Sequence, residues 1–120
     1  MSAPINPAAL DNMRQLTPTG GNALVRRLAQ AYLQSASSDF ARIDQALADR
    51  DGSVLTHAAH VLKSSSFNIG AETLAAIFQD MEMLCRQGDT DAAFLRIAAA
   101  HAEYQRVRQA LEKIVEETAE

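Results

Sequence analysis

Apolar residues recurring at spacings of three and four constrain this chain more than any other feature. The clearest run is Leu74, Ile77, Phe78, Met81, Leu84 and Cys85, with Glu72, Gln79, Glu82 and Arg86 mostly off the stripe. That period belongs to a helix with one buried face, not to a strand, whose side chains alternate. A second stripe fills Asn22 to about Arg50 through Leu24, Val25, Leu28, Tyr32, Leu33, Phe40, Ile43 and Leu47. Ser35-Ala36-Ser37-Ser38 is its soft point, so a single long helix is expected, with two helices broken there as the alternative.

Punctuation between the stripes sets the number of elements. Asn6-Pro7 reads as an N-cap followed by proline at the first helical position, opening a short helix with Leu10, Met13 and Leu16 on its apolar side. It ends at Thr17-Pro18-Thr19-Gly20-Gly21 and, too short to stand alone, is expected to pack as a lid. Asp51-Gly52-Ser53 makes a turn and offers Asp51 and Ser53 as caps for a helix that carries His60 to about Asn68, where Gly70 closes it. Gly88 stops the next helix. Asp89 caps the last one, with Phe94, Ile97, His101, Tyr104, Val107, Leu111, Ile114 and Val115 on its buried side and Glu103, Arg106, Glu112, Lys113 and Glu116 on its wet side. Four long helices joined by short turns run antiparallel to their neighbours. The expected fold is all-α, an antiparallel up-down four-helix bundle with a short N-terminal capping helix: tail 1–5, lid 6–16, bundle 22–118.

At 120 residues the chain has room for one domain with a single core. A net charge of -4 supplies no basic stripe for nucleic acid and no Lys/Arg cluster for an anionic membrane. Cys85 is the only cysteine, which rules out an intrachain disulfide and a multi-cysteine metal site. Met1-Ser2-Ala3-Pro4-Ile5 lacks a basic region followed by an apolar run, and no apolar run reaches membrane-spanning length. The expectation is a soluble cytoplasmic monomer. Met1 suits a free-standing product, although a domain cut from a larger protein could begin the same way.

The pattern changes at Ala59-His60-Val61-Leu62-Lys63-Ser64-Ser65-Ser66-Phe67-Asn68-Ile69-Gly70-Ala71, where a histidine, a lysine and three serines precede a glycine. At about 100° per residue, Lys63 lies about 60° from His60 around the helix, Ser64 about 40° and Phe67 about 20°. These four share a face, whereas Val61, Leu62, Ser65 and Ile69 point elsewhere, with Leu62 and Ile69 as anchors into the core. Neutral imidazole is a nucleophile, and at an unperturbed pKa near 6.5 about three-quarters of an exposed histidine is in that form at pH 7. If the imidazole takes up a phosphoryl group, Lys63 is placed to offset the added charge. The sequence offers no carboxylate cluster beside His60 for Mg²⁺, so the catalytic machinery of phosphoryl transfer must come from a partner.

This stretch resembles the signature of histidine-containing phosphotransfer (HPt) domains, A-H-x-L-K-G-S-S-x-x-[LIV]-G-A. Pro7-Ala8-Ala9-Leu10, the Gly52 turn, the Leu74 to Cys85 stripe with Met81-Glu82, and Arg86-Gln87-Gly88-Asp89 also resemble family positions, so the likeness spans essentially the whole chain. It implies a helical bundle in a two-component phosphorelay. In that role His60 accepts a phosphoryl group from a receiver-domain aspartate and passes it to another receiver, Lys63 being its charge partner. The partners implied are receiver domains of response regulators and of hybrid histidine kinases. No cofactor is implied for this chain, and Mg²⁺ is expected on the partner receiver. Ser65 and Ser66 match family serines that look like packing and local hydrogen bonding, and Gly70 matches the helix-ending glycine. Ser64 departs from the pattern: the family usually has Gly there, and the added hydroxyl either narrows partner choice or bonds a phosphoryl oxygen.

Other residues weigh toward structure. A lone histidine on a wet helix face usually does nothing, and the surrounding motif is what singles out His60. His57, one turn earlier, is a flank of the docking surface, since two histidines without carboxylates or cysteines make a poor metal site. Phe67 with Leu10, Met13 or nearby lid residues is expected to form an apolar patch for a receiver. His101 and Cys85 sit on buried stripes and read as core, as do Met13, Met81 and Met83. The alternative function is a helical adaptor that binds receivers or other signalling partners without being phosphorylated. An autonomous kinase or phosphatase is disfavoured, because no P-loop or nucleotide-binding glycine loop is present.

Overall fold

The computed structural model describes residues 3–119. Met1 and Ser2, which belong to the expected tail, lie outside that range, while Ile5 of the same tail is buried in the core. Among the described residues there are six helices: α1 (Pro7–Arg14), α2 (Gly21–Asp49), α3 (Gly52–Asn68), α4 (Glu72–Arg86), α5 (Thr90–Leu95) and α6 (Ile97–Glu117).

Their ends follow from local chemistry. Asn6 Oδ1 accepts the Ala8 N–H at 3.0 Å with Pro7 at the first helical position, and Asp51 Oδ1 accepts the N–H groups of Ser53 at 3.1 Å and Val54 at 3.2 Å. Of the two candidate caps of α3, Asp51 does the capping. Asp89 plays the same part for α5 through the Ala92 N–H. Helix α2 runs unbroken for 29 residues through the serine-rich point. There Ser35 Oγ donates back to the Tyr32 carbonyl at 3.3 Å, satisfying the hydroxyl within the helix, while Tyr32, Ala36 and Phe40 keep the stripe buried. At about 1.5 Å per residue it spans about 43 Å, nearly the whole 47 Å long axis of the molecule.

Helix α3 packs between α2 and α4, and α6 closes the ring by lying against α2 and α4. This is the expected antiparallel bundle. Phe40 sits at its centre, with the Phe78 ring 5.6 Å away edge-on and the Tyr104 ring 4.6 Å away. Helix α1 packs against α2 as a lid, and its N-cap residue is tied to the α3–α4 corner: the Asn6 N–H donates to the Gly70 carbonyl at 2.8 Å and Asn6 Nδ2 to Glu72 Oε1 at 3.1 Å.

The last helix is not continuous. The chain tightens at Arg96, whose N–H bonds the Ala93 carbonyl three residues back at 3.0 Å, and α5 becomes a separate short piece against α4. The buried positions Ala93, Phe94, Ile97, Ala100, Tyr104, Val107 and Leu111 keep their period across the break, so the stripe conceals it. Some stripe members are exposed: Leu16 (74%), beyond the end of α1, together with Leu28 and Leu47; Met83, read as core, is exposed as well. His101 is not a core histidine. Its side chain is 39% exposed and Nε2 lies 2.7 Å from Asp44 Oδ1, with its ring tilted on Phe40. Glu103, expected on the wet side, is buried and accepts from Arg106 at 2.9 Å.

Candidate functional site

Leu55, Ala58, Ala59 and Leu62 are fully buried and fix one side of α3 in the core, which turns His60, Ser64 and Phe67 outward. The His60 side chain is 53% exposed. Alanines at Ala58, Ala59 and Ala75 keep the contact faces of α3 and α4 slim, and the two helices pack closely enough to cover a residue at the edge of the α4 stripe.

That residue is Glu82, and the sequence reading, which placed it off the stripe, is corrected here: its side chain is only 5% exposed. Glu82 Oε2 lies 2.9 Å from His60 Nδ1 and accepts from Arg86 Nη2 at 2.6 Å, while Oε1 accepts from Lys63 Nζ at 2.7 Å. Burial pushes the Glu82 carboxyl up, but hydrogen bonds from Lys63 and His60 and the charges of Lys63 and Arg86 outweigh it and hold the group below its ordinary value. Glu82 is therefore a carboxylate and can only accept. A neutral His60 must carry its hydrogen on Nδ1 and donate it to Glu82, leaving the lone pair on Nε2, which has no hydrogen-bond partner among the described residues. The Lys63 ammonium, read from the sequence as the charge partner of His60, donates to Glu82 as well.

The neighbouring motif residues divide between surface and frame. Ser64 is exposed and its hydroxyl has no bond among the described residues, whereas Ser65 Oγ donates to the Leu62 carbonyl at 3.4 Å. Ser66 is fully buried with Oγ 2.8 Å from the Tyr32 hydroxyl, tying α3 to α2, and burial pushes the Tyr32 phenol well up. Leu62 and Ile69 are buried, and Gly70 ends α3 with φ +90°. His57 is exposed one turn before His60. Phe67, 62% exposed, stands over an open groove of about 510 Å³ between α3 and α4, lined also by Lys63, Ser64, Ala75 and Gln79. Beyond it a notch of about 560 Å³ is floored by Met13, Leu16, Leu28 and Ile69. Leu10, named with the apolar patch, is buried and takes no part.

Glu82 and Arg86 were the functional candidates missed. Two signals were available: their i, i+4 spacing, which pairs opposite charges on a helix, and the similar distances of His60 and Glu82 from the Gly70 turn, which makes them neighbours across an antiparallel hairpin. Among the described residues no group of three His, Cys, Asp or Glu side chains is arranged to hold a metal ion. Nor is any helix long and apolar enough to cross a membrane.

The depressed Glu82 pKa makes a stability prediction. A carboxyl whose folded pKa lies below its unfolded one stabilises the fold fully above the ordinary value of 4.5 and loses that contribution as pH falls through the folded pKa. Below about pH 4.5 the wild-type protein should therefore lose more unfolding free energy than Glu82→Gln in denaturant titrations. Parallel pH curves for the two proteins would contradict the assignment.

Fold and site together define a class, a helical bundle that presents one carboxylate-held imidazole on the outside of its third helix. The Hpt domain family model matches residues 27–114, and the chain belongs to that family. The fold is similar to that of histidine-containing phosphotransfer protein B (HptB) from Pseudomonas aeruginosa PAO1, whose crystal structure superposes with a TM-score of 0.85 over 98% of each chain at 20% sequence identity. No curated protein sequence matches. Hpt domains are phosphocarriers rather than kinases, serve histidine phosphotransfer in phosphorelays, and interact there with receiver domains.

Proposed function

We propose that His60 is the phosphoryl acceptor of this chain, taking the group from the aspartyl phosphate of one receiver domain and delivering it to the aspartate of another. The observation that carries the reading is the His60 Nδ1 contact to the buried Glu82 carboxylate, which dictates the tautomer and leaves Nε2 nucleophilic on an exposed ring. In the step, the Nε2 lone pair forms the N–P bond as the P–O bond to the receiver aspartate breaks, its electron pair leaving with the carboxylate. The Nδ1 hydrogen stays on the ring, and the positive charge that develops there faces Glu82. Onward transfer runs the same step in reverse.

Arg86, one of whose N–H groups holds Glu82, stands at the same carboxylate with its side chain mostly in solvent and is placed to meet phosphoryl oxygens. Lys63 holds Glu82 in position from the other oxygen and contributes positive charge. Glu82 already accepts from three donors, an arrangement unsuited to a hard cation, so we place any Mg²⁺ of the transfer on the receiver. Ser64, Phe67 and His57 form the docking face, with Met13 and Leu16 extending it. Leu62, Ser65, Ser66 and Gly70 hold the helix that carries it. We place the working protein in the cytoplasm as a monomer.

Mixing the protein with a phosphorylated receiver should give an acid-labile, base-stable phosphoryl adduct that His60→Gln cannot form, and ATP alone should label nothing. Binding of the receiver without any adduct would instead establish the adaptor role.

A further inference from the structure

Three serines follow Lys63, and two of them have settled partners in the frame. The third, Ser64, has none: it is exposed, and its hydroxyl is unbonded among the described residues although a backbone carbonyl lies one turn back, at His60. On a helix, side chains lean toward the N-terminus, so the residue four positions after His60 leans over the turn that carries the imidazole. By rotation Ser64 lies about 40° to one side of His60 and Lys63 about 60° to the other. On the Lys63 side, that ammonium and one Arg86 N–H are bonded to Glu82, and the remaining Arg86 N–H groups can meet phosphoryl oxygens from there. On the Ser64 side, the rim of the groove leading to Phe67 offers an uncommitted donor.

We infer that Ser64 Oγ donates a hydrogen bond to a non-bridging oxygen of the phosphoryl group once it is on His60 Nε2. This rests on His60 being the acceptor. The bond exists only in the phosphorylated chain, so it stabilises the phosphohistidine relative to the free imidazole. It thereby slows hydrolysis and draws the exchange with an aspartyl phosphate toward this chain. In a loose transition state the developing metaphosphate leaves the bond weaker than in the ground state, which is why lifetime lengthens rather than shortens. The hydroxyl makes this chain a holder of the phosphoryl group as well as a conduit for it.

The test separates this role from steric gating of the docking face. The equilibrium between phosphorylated receiver and phosphorylated chain is independent of how well the two dock, because docking changes only the rate of reaching it. Wild type, Ser64→Ala, Ser64→Gly and Ser64→Thr are phosphorylated with phosphoramidate, a small donor that needs no receiver, and the decay of phosphohistidine is followed. The equilibrium with one receiver is then measured. Ser64→Ala and Ser64→Gly should each lose about two- to tenfold in both lifetime and equilibrium phosphohistidine, the scale of one hydrogen bond, and Ser64→Thr should retain both. Unchanged lifetime and equilibrium in the alanine and glycine variants would overturn the inference, even if their transfer rates changed. If phosphoramidate labels wild type and His60→Gln equally, it is the acceptor assignment that fails.

Discussion

Glu82→Ala is expected to slow phosphoryl transfer at His60 by about 10- to 100-fold, the equivalent of losing a charge-assisted hydrogen bond of about 1.5–3 kcal/mol. In the wild type the carboxylate selects the Nδ1-protonated ring and holds its plane, and in the proposed step it faces the positive charge that would develop on phosphorylation of Nε2. Alanine removes all three at once. The two cations that share Glu82 lose their anion as well, but Arg86 is mostly in solvent and Lys63 can extend toward it, so the fold should lose far less than the chemistry. The check pairs transfer kinetics with proton-detected measurement of the ring tautomer. Wild-type rates with a mixed tautomer population would show that Glu82 is only structural. Glu82→Gln is the informative intermediate, because its amide oxygen still accepts from Nδ1 but carries no charge to meet the imidazolium.

The largest effect on stability is expected at Gly70. Its φ of +90° lies in the left-handed region, where an L side chain costs about 1–2 kcal/mol. A Cβ built there would stand 2.8 Å from Ala9 Cβ and 3.2 Å from the Asn6 carbonyl oxygen, both in the lid segment. Relieving that overlap by shifting α1 adds about 1–3 kcal/mol and weakens the bond from the Asn6 N–H to the Gly70 carbonyl. Gly70→Ala should therefore lower unfolding free energy by about 2–5 kcal/mol, visible in denaturant melts, and should expose α1 to proteolysis. A variant with wild-type stability would show that the lid is not seated on this corner.

Much of this architecture could be read from the chain. The Leu74 to Cys85 stripe, the caps at Asn6, Asp51 and Asp89 and the stop at Gly70 are local signals, each set by residues a few positions apart, and they predict the bundle directly. The break at Arg96 escaped because the buried positions stay in phase across it. His101 escaped for the opposite reason: it sits on the stripe, but Asp44 on another helix holds it at the surface. The site was half legible. His60 stands out because the motif around it is local, whereas the burial of Glu82 follows from Lys63, His60 and slim alanines on a different helix. The i, i+4 spacing of Glu82 and Arg86 signals one of its donors, but the two that converge on it from the other helix depend on how the hairpin packs. Where charges are buried in company, the company is a tertiary property.

The division of the site between α3 and α4 has a consequence for which nitrogen of His60 carries the proton. His60 is supplied by one arm of a helical hairpin and its proton holder by the other, and the lid is clasped over the bend between them. In a chain whose hairpin is splayed, the imidazole becomes an ordinary histidine with its proton on either nitrogen. The tautomer that leaves Nε2 unprotonated is thus selected by assembly, and it is fixed only once the two helices have zipped into register.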